Sequence, residues 1–199
     1  MAAEKRPYKK KLRAEQEENT RRRITESAVA LHGTLGPSRT SMSDVARHAG
    51  VRRSTLYRHF RDESALFLAC SAHWAAANPL PEIESWTGFD DPDQRLAVAL
   101  GQMYSFYSRG ERMLLNLFRD EQVTPMVTML FRSFRDYMAA ARDALKAGRN
   151  TKGPAQRRVS AAIGHALAFT TWYSLVREQG LDADEAVELM SRAVTAAER

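Results

Sequence analysis

Cysteine, long apolar runs and an apolar N-terminal core are the features that this sequence has least of. Cys70 is the single cysteine among 199 residues, so the chain forms no internal disulfide and needs no oxidising compartment. No run of about eighteen apolar residues occurs, which argues against a membrane span. The N-terminus is charged from Glu4 onward and lacks a signal core, so we expect a cytoplasmic protein and not a secreted one.

Patterns typical of catalysis and metal binding are also absent. There is no G-x-x-x-x-G-K-S/T phosphate loop and no G-x-S-x-G, and the five histidines lack zinc-enzyme spacing. Cys70 and His73 would share a helical face, but two ligands do not complete a zinc site. We therefore predict a protein that is not an enzyme and has neither a metal nor a cofactor.

Basic residues are concentrated at one end of the chain. Residues 1–70 hold fifteen Lys or Arg against eight Asp or Glu (15 − 8 = +7), whereas residues 71–199 hold fifteen against sixteen (15 − 16 = −1). Hydrophobic residues make up 44% and charged residues 27%, which is typical of a folded, soluble chain. The asymmetry indicates an anionic partner or a solvated tail attached to a neutral domain.

Helical periodicity runs through the whole sequence, with no alternating strand and no repeat, so we predict an all-α fold. Turn and cap signals divide it into about nine helices: 20–33 (capped by Thr20), 41–50, 52–60, 62–78, 93–108 (begun by Asp91 and Pro92), 111–121, 125–148, 155–179 and 183–197 (capped by Asp182). Residues 79–92, with three prolines and no helical period, form the candidate linker. We expect residues 1–19 to be a basic extension, disordered or lengthening the first helix, residues 20–66 to form a small N-terminal domain, and residues 67–199 to form a larger domain.

The segment from Thr40 to Phe60, TSMSDVARHAGVRRSTLYRHF, carries the most information. Ser41-x-x-Asp44 has the form of a capping box, and Gly50 allows a tight turn between two short helices. This layout is typical of a helix-turn-helix, whose second helix enters the major groove of DNA. If Leu56 and Phe60 face the core, Ser54 and Arg58 point outward.

This segment resembles the DNA-binding domain of the tetracycline-repressor (TetR) family. Thr-Leu-Tyr-Arg-His-Phe at 55–60 is similar to the family's T-L-Y-x-H-F, and residues 45–51 to its I-A-x-x-A-G-V. The resemblance extends from about Ile24 to Leu68. It implies that the following residues contact DNA: Thr40 or Ser41, Arg53, Ser54, Thr55, Tyr57, Arg58 and His59. We add Arg52, which is basic and lies at the start of the same helix.

Several of these side chains have structural alternatives. Tyr57 either touches DNA or packs between helices, Thr40 either touches phosphate or acts only as a cap, and His59 either touches phosphate or bonds a neighbouring backbone group. One departure concerns Glu63, which stands where the family usually has a phosphate-binding lysine; Arg61 is the candidate to replace that contact. The basic extension (Lys5, Arg6, Lys9, Lys10, Lys11 and Arg13) either lies on DNA or is a solubilising tail.

The remaining two-thirds of the chain are rich in aromatic residues and methionine. These residues form either a helical core or, in part, a pocket for an apolar or aromatic effector, which the resemblance implies. The candidate pocket residues are Met103, Tyr104, Tyr107, Phe118, Met129, Phe134, Trp172 and Tyr173.

The small side chains of residues 159–170 and the apolar stripe of the last helix indicate close helix packing, within one chain or between two copies. The resemblance implies a homodimer through residues 155–197 that reads a palindromic duplex operator. We therefore expect a transcriptional repressor released by a small effector. The alternative is a helical small-molecule-binding protein or enzyme with a vestigial DNA-binding motif.

Overall fold

Helices are the regular elements of the computed structural model, which describes the backbone of residues 5–199 and the side chains of residues 10–199. This described part has no strand. It contains nine α-helices: α1 (Lys5–Thr34), α2 (Met42–His48), α3 (Arg53–His59), α4 (Glu63–Ala77), α5 (Pro92–Asp120), α6 (Pro125–Lys146), α7 (Gly153–Ala166), α8 (Phe169–Tyr173) and α9 (Ala183–Ala196). A π-helical turn, Ser174–Glu178, extends α8. The predicted all-α class is confirmed.

Three predicted caps are confirmed. Ser41 accepts from the Asp44 N–H while Asp44 accepts from the Ser41 N–H, which completes the capping box of α2. Asp182 forms the same reciprocal pair with Glu185 at the start of α9. Asp91 precedes α5, which begins at Pro92. Local side-chain chemistry therefore sets these helix starts.

The predicted cap at Thr20 is wrong. Thr20 lies inside α1, where its hydroxyl donates to the Gln16 carbonyl at 2.8 Å. The residues before it are mostly Ala, Glu, Gln, Lys and Arg, which are strong helix formers, so the helix continues upstream. The extension thus lengthens the first helix from residue 5, and residues 1–4 lie outside the described residues.

Two predicted boundaries in the larger region are also wrong. Gly110 does not interrupt α5, because the roughly 1 kcal/mol that glycine costs in a helix is small beside the burial of neighbours such as Tyr107 and Met113. The predicted helix 155–179 breaks at Leu167 and Ala168, with a bend of 61°. Tyr104 and Tyr107 donate to the carbonyls of Ala166 and Leu167 (2.9 and 2.6 Å), which satisfies acceptors at the break.

The chain divides into two compact units. The first comprises Met1–Ala77 and Arg112–Thr128, and the second Asn78–Glu111 and Met129–Arg199. Helix α5 therefore contributes to both. The functional boundaries at residues 19 and 66 stay predictions.

The core of the first unit is apolar, and α1, α2, α3 and α4 all contribute side chains to it. Its buried members are Ile24, Ala28, Met42, Val45, Ala46, Ala49, Leu56, Phe60, Leu66 and Cys70. The last turns of α5 add polar contacts to the C-terminal end of α1. Asn116 donates to the carbonyls of His32 and Gly33 at 3.0 Å, and Arg119 donates to that of Leu35 at 2.7 Å. These bonds satisfy carbonyls that the end of a helix leaves without partners.

The second unit has an aromatic core. Trp86, Tyr104, Tyr107 and Trp172 are among its largest fully buried side chains. Trp86 lies in the predicted linker 79–92, and its indole N–H donates to Gln102 at 2.8 Å, so this segment is packed. Among the described helices none alone is long and apolar enough to cross a membrane, and only the bent pair α7 and α8 together has the length and composition.

Candidate nucleic-acid interface

The helix-turn-helix consists of α2, the turn Ala49–Arg52 and α3. Gly50 has φ 62°, the left-handed conformation that glycine adopts without a steric penalty. The N–H of Val51 donates to the Ala46 carbonyl at 2.9 Å and closes the turn. Leu56 and Phe60 are buried, as the spacing predicted. The opposite side of α3 is therefore held outward by the core.

The outward side of α3, together with Arg52 just before it, is cationic and polar. Arg52, Arg53, Ser54, Tyr57 and Arg58 are exposed, and Thr55 is half-buried. No acidic residue occurs in α3. Such a surface provides guanidinium and hydroxyl donors for phosphates and base edges.

Tyr57 is exposed to solvent and contacts Arg53, one turn earlier on the same helix. It is 40% exposed, so the alternative in which it packs between helices does not describe this structure. Arg53 lies over its ring, with the guanidinium carbon 5.5 Å from the centroid, and donates to the phenolic oxygen at 3.3 Å. This i, i+4 pair restricts the rotamers of both side chains on the exposed face.

The two hydroxyls before α2 already have internal partners. Thr40 is buried and donates to the Gly36 carbonyl at 2.8 Å, whereas Ser41 is the cap of α2. Hydrogen bonds from the side chain and backbone of Ser41 hold the pKa of Asp44 below its usual value. Phosphate contact by Thr40 or Ser41 stays a prediction.

The C-terminal end of α3 is supported by Arg21, a residue that sequence reasoning did not single out. Arg21 donates to the His59 carbonyl at 2.8 Å, and its guanidinium carbon lies 4.3 Å from the centroid of the Phe60 ring. A cation there is favourable at the negative end of the helix. The signal for it was the run of three arginines directly before the apolar stripe of α1.

The surroundings of His59 disfavour its charged form. Burial, followed by the positive charges of Arg58 and Arg21, lowers the pKa of its imidazole. Its Nε2 is buried and has no hydrogen-bond partner among the described residues. Contact between His59 and DNA stays a prediction.

Arg61 and Glu63 lie where α3 gives way to α4. Arg61 is 88% exposed and pairs with Asp62 at 2.9 Å, while Asp62 also accepts from the Ala65 N–H at 2.8 Å and so caps α4. Glu63 is exposed in the first turn of α4, where a negative charge favours the helix. Replacement of the family's lysine contact by Arg61 stays a prediction.

Comparisons with known proteins agree with this geometry. The profile of the family described as "Bacterial regulatory proteins, tetR family" matches residues 24–70. The HTH-type transcriptional regulator AcrR of Shigella flexneri is 42% identical over 50 residues, which is 25% of this chain and 23% of that regulator. Residues 24–70 therefore form a TetR-family DNA-binding domain.

Solved structures extend the likeness in fold to nearly the whole chain. NalD, described as the secondary repressor of the MexAB-OprM multidrug efflux pump in Pseudomonas aeruginosa, is 22% identical with a TM-score of 0.60, covering 92% of this chain and 97% of that one. SmeT in complex with triclosan is 22% identical with a TM-score of 0.61, covering 90% and 91%. At these identities the likeness shows a shared fold.

The candidate effector residues are only partly brought together. Met103, Tyr104, Tyr107 and Trp172 are buried in the second unit, where Tyr107 and Trp172 lie 5.9 Å apart between ring centroids. Half-buried Tyr173 is 6.3 Å from Trp172. Tyr104, Tyr107, Trp172 and Tyr173 form a packed aromatic cluster.

The other three candidates lie elsewhere. Phe134 stacks on Tyr137 at 6.5 Å, and Met129 is 64% exposed. Phe118 belongs to the first unit. Their contact with an effector stays a prediction.

Proposed function

We propose that this protein is a TetR-family transcriptional regulator that binds duplex DNA through α3. The observation that carries the proposal is the exposed face of α3, where Arg53, Tyr57 and Arg58 project from a helix anchored by buried Leu56 and Phe60. A short helix without acidic residues, presented by a helix-turn-helix, fits the major groove. Because its proposed partner is DNA, we propose that the protein is located in the cytoplasm.

Substitutions on this face test the proposal. An operator is first selected from a random duplex library, and affinity is then measured by fluorescence anisotropy. Tyr57→Ala and Arg58→Ala should each weaken binding by about 1–3 kcal/mol. The control is Arg132→Ala, which removes an exposed arginine of α6 and should leave affinity unchanged. Wild-type affinity in both α3 variants would show that another surface binds DNA.

We propose that two copies pair through α7 and α9 and that the dimer reads a palindromic operator. Small residues on α7, such as Ala161 and Gly164, permit close helix approach, and Leu189 on α9 is 45% exposed. Two recognition helices about 34–36 Å apart would reach half-sites one DNA turn apart. Sedimentation should give a dimer at micromolar concentration, and a monomer that still binds the palindrome tightly would refute the pairing.

We further propose that the protein is a repressor released by a small molecule. NalD is described as a repressor and the SmeT structure contains triclosan, and both share this fold. A ligand can release DNA only by binding better to the conformation that does not fit the operator. Titration of a DNA-bound sample with ligand should therefore lower DNA affinity; an increase in affinity would reverse the assignment.

A further inference from the structure

The guanidinium of Arg53 carries a charge that no carboxylate of the described chain neutralises. Arg53 is exposed at the first position of α3, a helix without acidic residues. Asp44 and Asp62, the acidic residues nearest in sequence, each pair with another arginine at 2.9 Å. Among the described residues Arg53 itself forms no ion pair, and its single hydrogen bond goes to the neutral hydroxyl of Tyr57. Its charge is therefore available to a partner outside the chain.

Tyr57 holds this guanidinium from one side. The Nη2 of Arg53 donates to the phenolic oxygen of Tyr57 at 3.3 Å, and the guanidinium carbon lies 5.5 Å from the ring centroid. A guanidinium has two edges that each present a pair of parallel N–H donors, and one bond from Nη2 leaves one of these edges intact. A side chain whose rotamers are already restricted also loses less entropy when it binds. Arg53 is therefore a preorganised double donor.

The other two arginines of this surface lack such support. Arg52 and Arg58 are exposed, and neither guanidinium has a hydrogen bond, ion pair or ring contact in the part of the chain that the structure describes. Arg52 precedes α3, and Arg58 lies in its last turn. Flexible cations at the edges of a recognition helix suit phosphates, whereas the first residues of such a helix reach base edges. Position and geometry thus distinguish Arg53 from its neighbours.

The base that matches a double donor is guanine. In the major groove guanine presents two acceptors, O6 and N7, whereas adenine presents one acceptor beside an amino donor. We infer that Arg53 recognises a guanine in each operator half-site through hydrogen bonds to O6 and N7, and that Tyr57 is a positioning residue that holds the guanidinium for this contact. The inference rests on the proposed function, because it names the base that α3 reads.

Base replacement in the selected operator tests this inference with the full-length chain. Each guanine of a half-site is replaced in turn by adenine, with its partner changed to thymine, and by 7-deazaguanine, which lacks the N7 acceptor but keeps the base pair. At one position adenine should weaken binding about 5- to 150-fold, the value of a paired arginine contact. At that position 7-deazaguanine should weaken binding by a smaller factor, because one of the two acceptors is left.

Variants of Arg53 assign the contact. In Arg53→Ala the same base replacement should change affinity by less than about twofold, because the group that senses the base is gone. Arg53→Lys keeps the charge but lacks the planar fork, so it should retain affinity for random duplex and lose most of the guanine preference. Circular dichroism establishes folding, and the lysine variant carries the test alone if the alanine variant does not fold.

The matched control is Arg52→Ala, which removes the same charge from the neighbouring exposed position. It should weaken binding equally for operators with and without the guanine, as the loss of a phosphate contact does. A guanine preference that disappears in Arg52→Ala and persists in Arg53→Ala would assign the base contact to the wrong arginine and overturn the inference.

Tyr57→Leu tests the positioning role, because it removes the ring and the hydroxyl while Arg53 stays in place. The penalty for replacing the guanine should fall well below the wild-type value, and adding Arg53→Ala should remove little further discrimination at this base. If Tyr57 contacts only phosphate, affinity will fall equally for all operators and the guanine preference will stay at the wild-type level. That result would overturn the positioning role.

The guanine contact and the proposed function fail in different ways. If the wild-type chain binds a selected duplex and Arg53→Ala keeps every base preference, the guanine contact is refuted and the proposed function stands. If no guanine occurs at a fixed position of the selected half-site, the same conclusion follows. If the wild-type chain binds no duplex, both are refuted.

Discussion

The imidazole Nδ1 of His32 lies 3.4 Å from the thiol sulfur of Cys70, and both side chains are buried in the first unit. The histidine in contact with Cys70 is therefore His32, which lies 38 positions away in the sequence. His73, which was expected to share a helical face with Cys70, is exposed. Burial raises the pKa of the Cys70 thiol to about 12. The pair is a neutral core contact, and the described residues contain no group of three residues arranged to hold a metal ion.

The buried state of His32 predicts that the protein loses stability in mild acid. Burial lowers the pKa of His32 to about 4, although the charge of Asp120 acts in the opposite direction. The unfolded chain binds a proton near pH 6.5 and the folded chain does not, so stability falls as pH decreases from about 6.5 towards 4. The loss from this residue should reach roughly 3 kcal/mol at most.

Urea unfolding at neutral pH and at about pH 4.5 measures this loss. His32→Phe keeps an aromatic ring beside Phe67, whose centroid is 5.9 Å from that of His32, but removes the titration. This variant should show a smaller decrease in unfolding free energy over the same pH interval. An identical decrease in both proteins would assign the acid sensitivity to other groups.

Gly36 and Gly50 form a matched pair for a test of turn geometry. Both have positive φ, 93° and 62°, but only Gly36 is crowded. A Cβ at Gly36 would overlap the guanidinium of Arg119 and lie 2.5 Å from Oδ2 of Asp120. That oxygen also accepts from the Ser38 N–H at 2.9 Å, so the substitution would disrupt several bonds.

We expect Gly50→Ala to cost about 1–2 kcal/mol, the backbone penalty alone, because nothing lies within 4 Å of the added atom. Gly36→Ala should cost about 3 kcal/mol or more, since its φ of 93° and ψ of 158° lie in a region that is essentially restricted to glycine and the substitution would also break polar contacts. Thermal or urea unfolding of the two variants checks the order. Equal losses would mean that Arg119 moves aside without cost.

The basic residues near the start of α1 predict a strong salt dependence of DNA binding. The exposed Lys10, Lys11 and Arg13 belong to a helix here, whereas the side chains of Lys5, Arg6 and Lys9 lie outside the described residues. If the three described cations meet phosphates, replacing all of them with glutamine should reduce the slope of log K against log salt by up to about 2.7. Substitution keeps the helix that a deletion would shorten.

Affinity for the selected operator, measured across a salt series, provides this slope. The matched control replaces the exposed Arg109, Arg132 and Arg157 of the second unit with glutamine, which removes the same charge. A slope reduced equally in both triple variants would indicate a general charge effect. A slope unchanged in the N-terminal variant would leave the extension as a solubilising tail.

Local patterns determined most of the helix-turn-helix from the sequence. The capping box of α2, the glycine turn and the buried spacing of Leu56 and Phe60 all depend on residues at most five positions apart. Such short-range chemistry is visible in the sequence because helical geometry alone decides which groups meet.

The tertiary structure decided what depends on distant partners. Helix α5 continues through Gly110 because its neighbours are buried, and α7 ends where Tyr104 and Tyr107 satisfy the freed carbonyls. Tyr104, Tyr107, Trp172 and Tyr173, which lie up to 69 positions apart in the sequence, pack against one another in the second unit. Hydrogen bonds and packing between residues 60 positions apart leave no periodic trace in a sequence, so their outcome appears only in the folded chain.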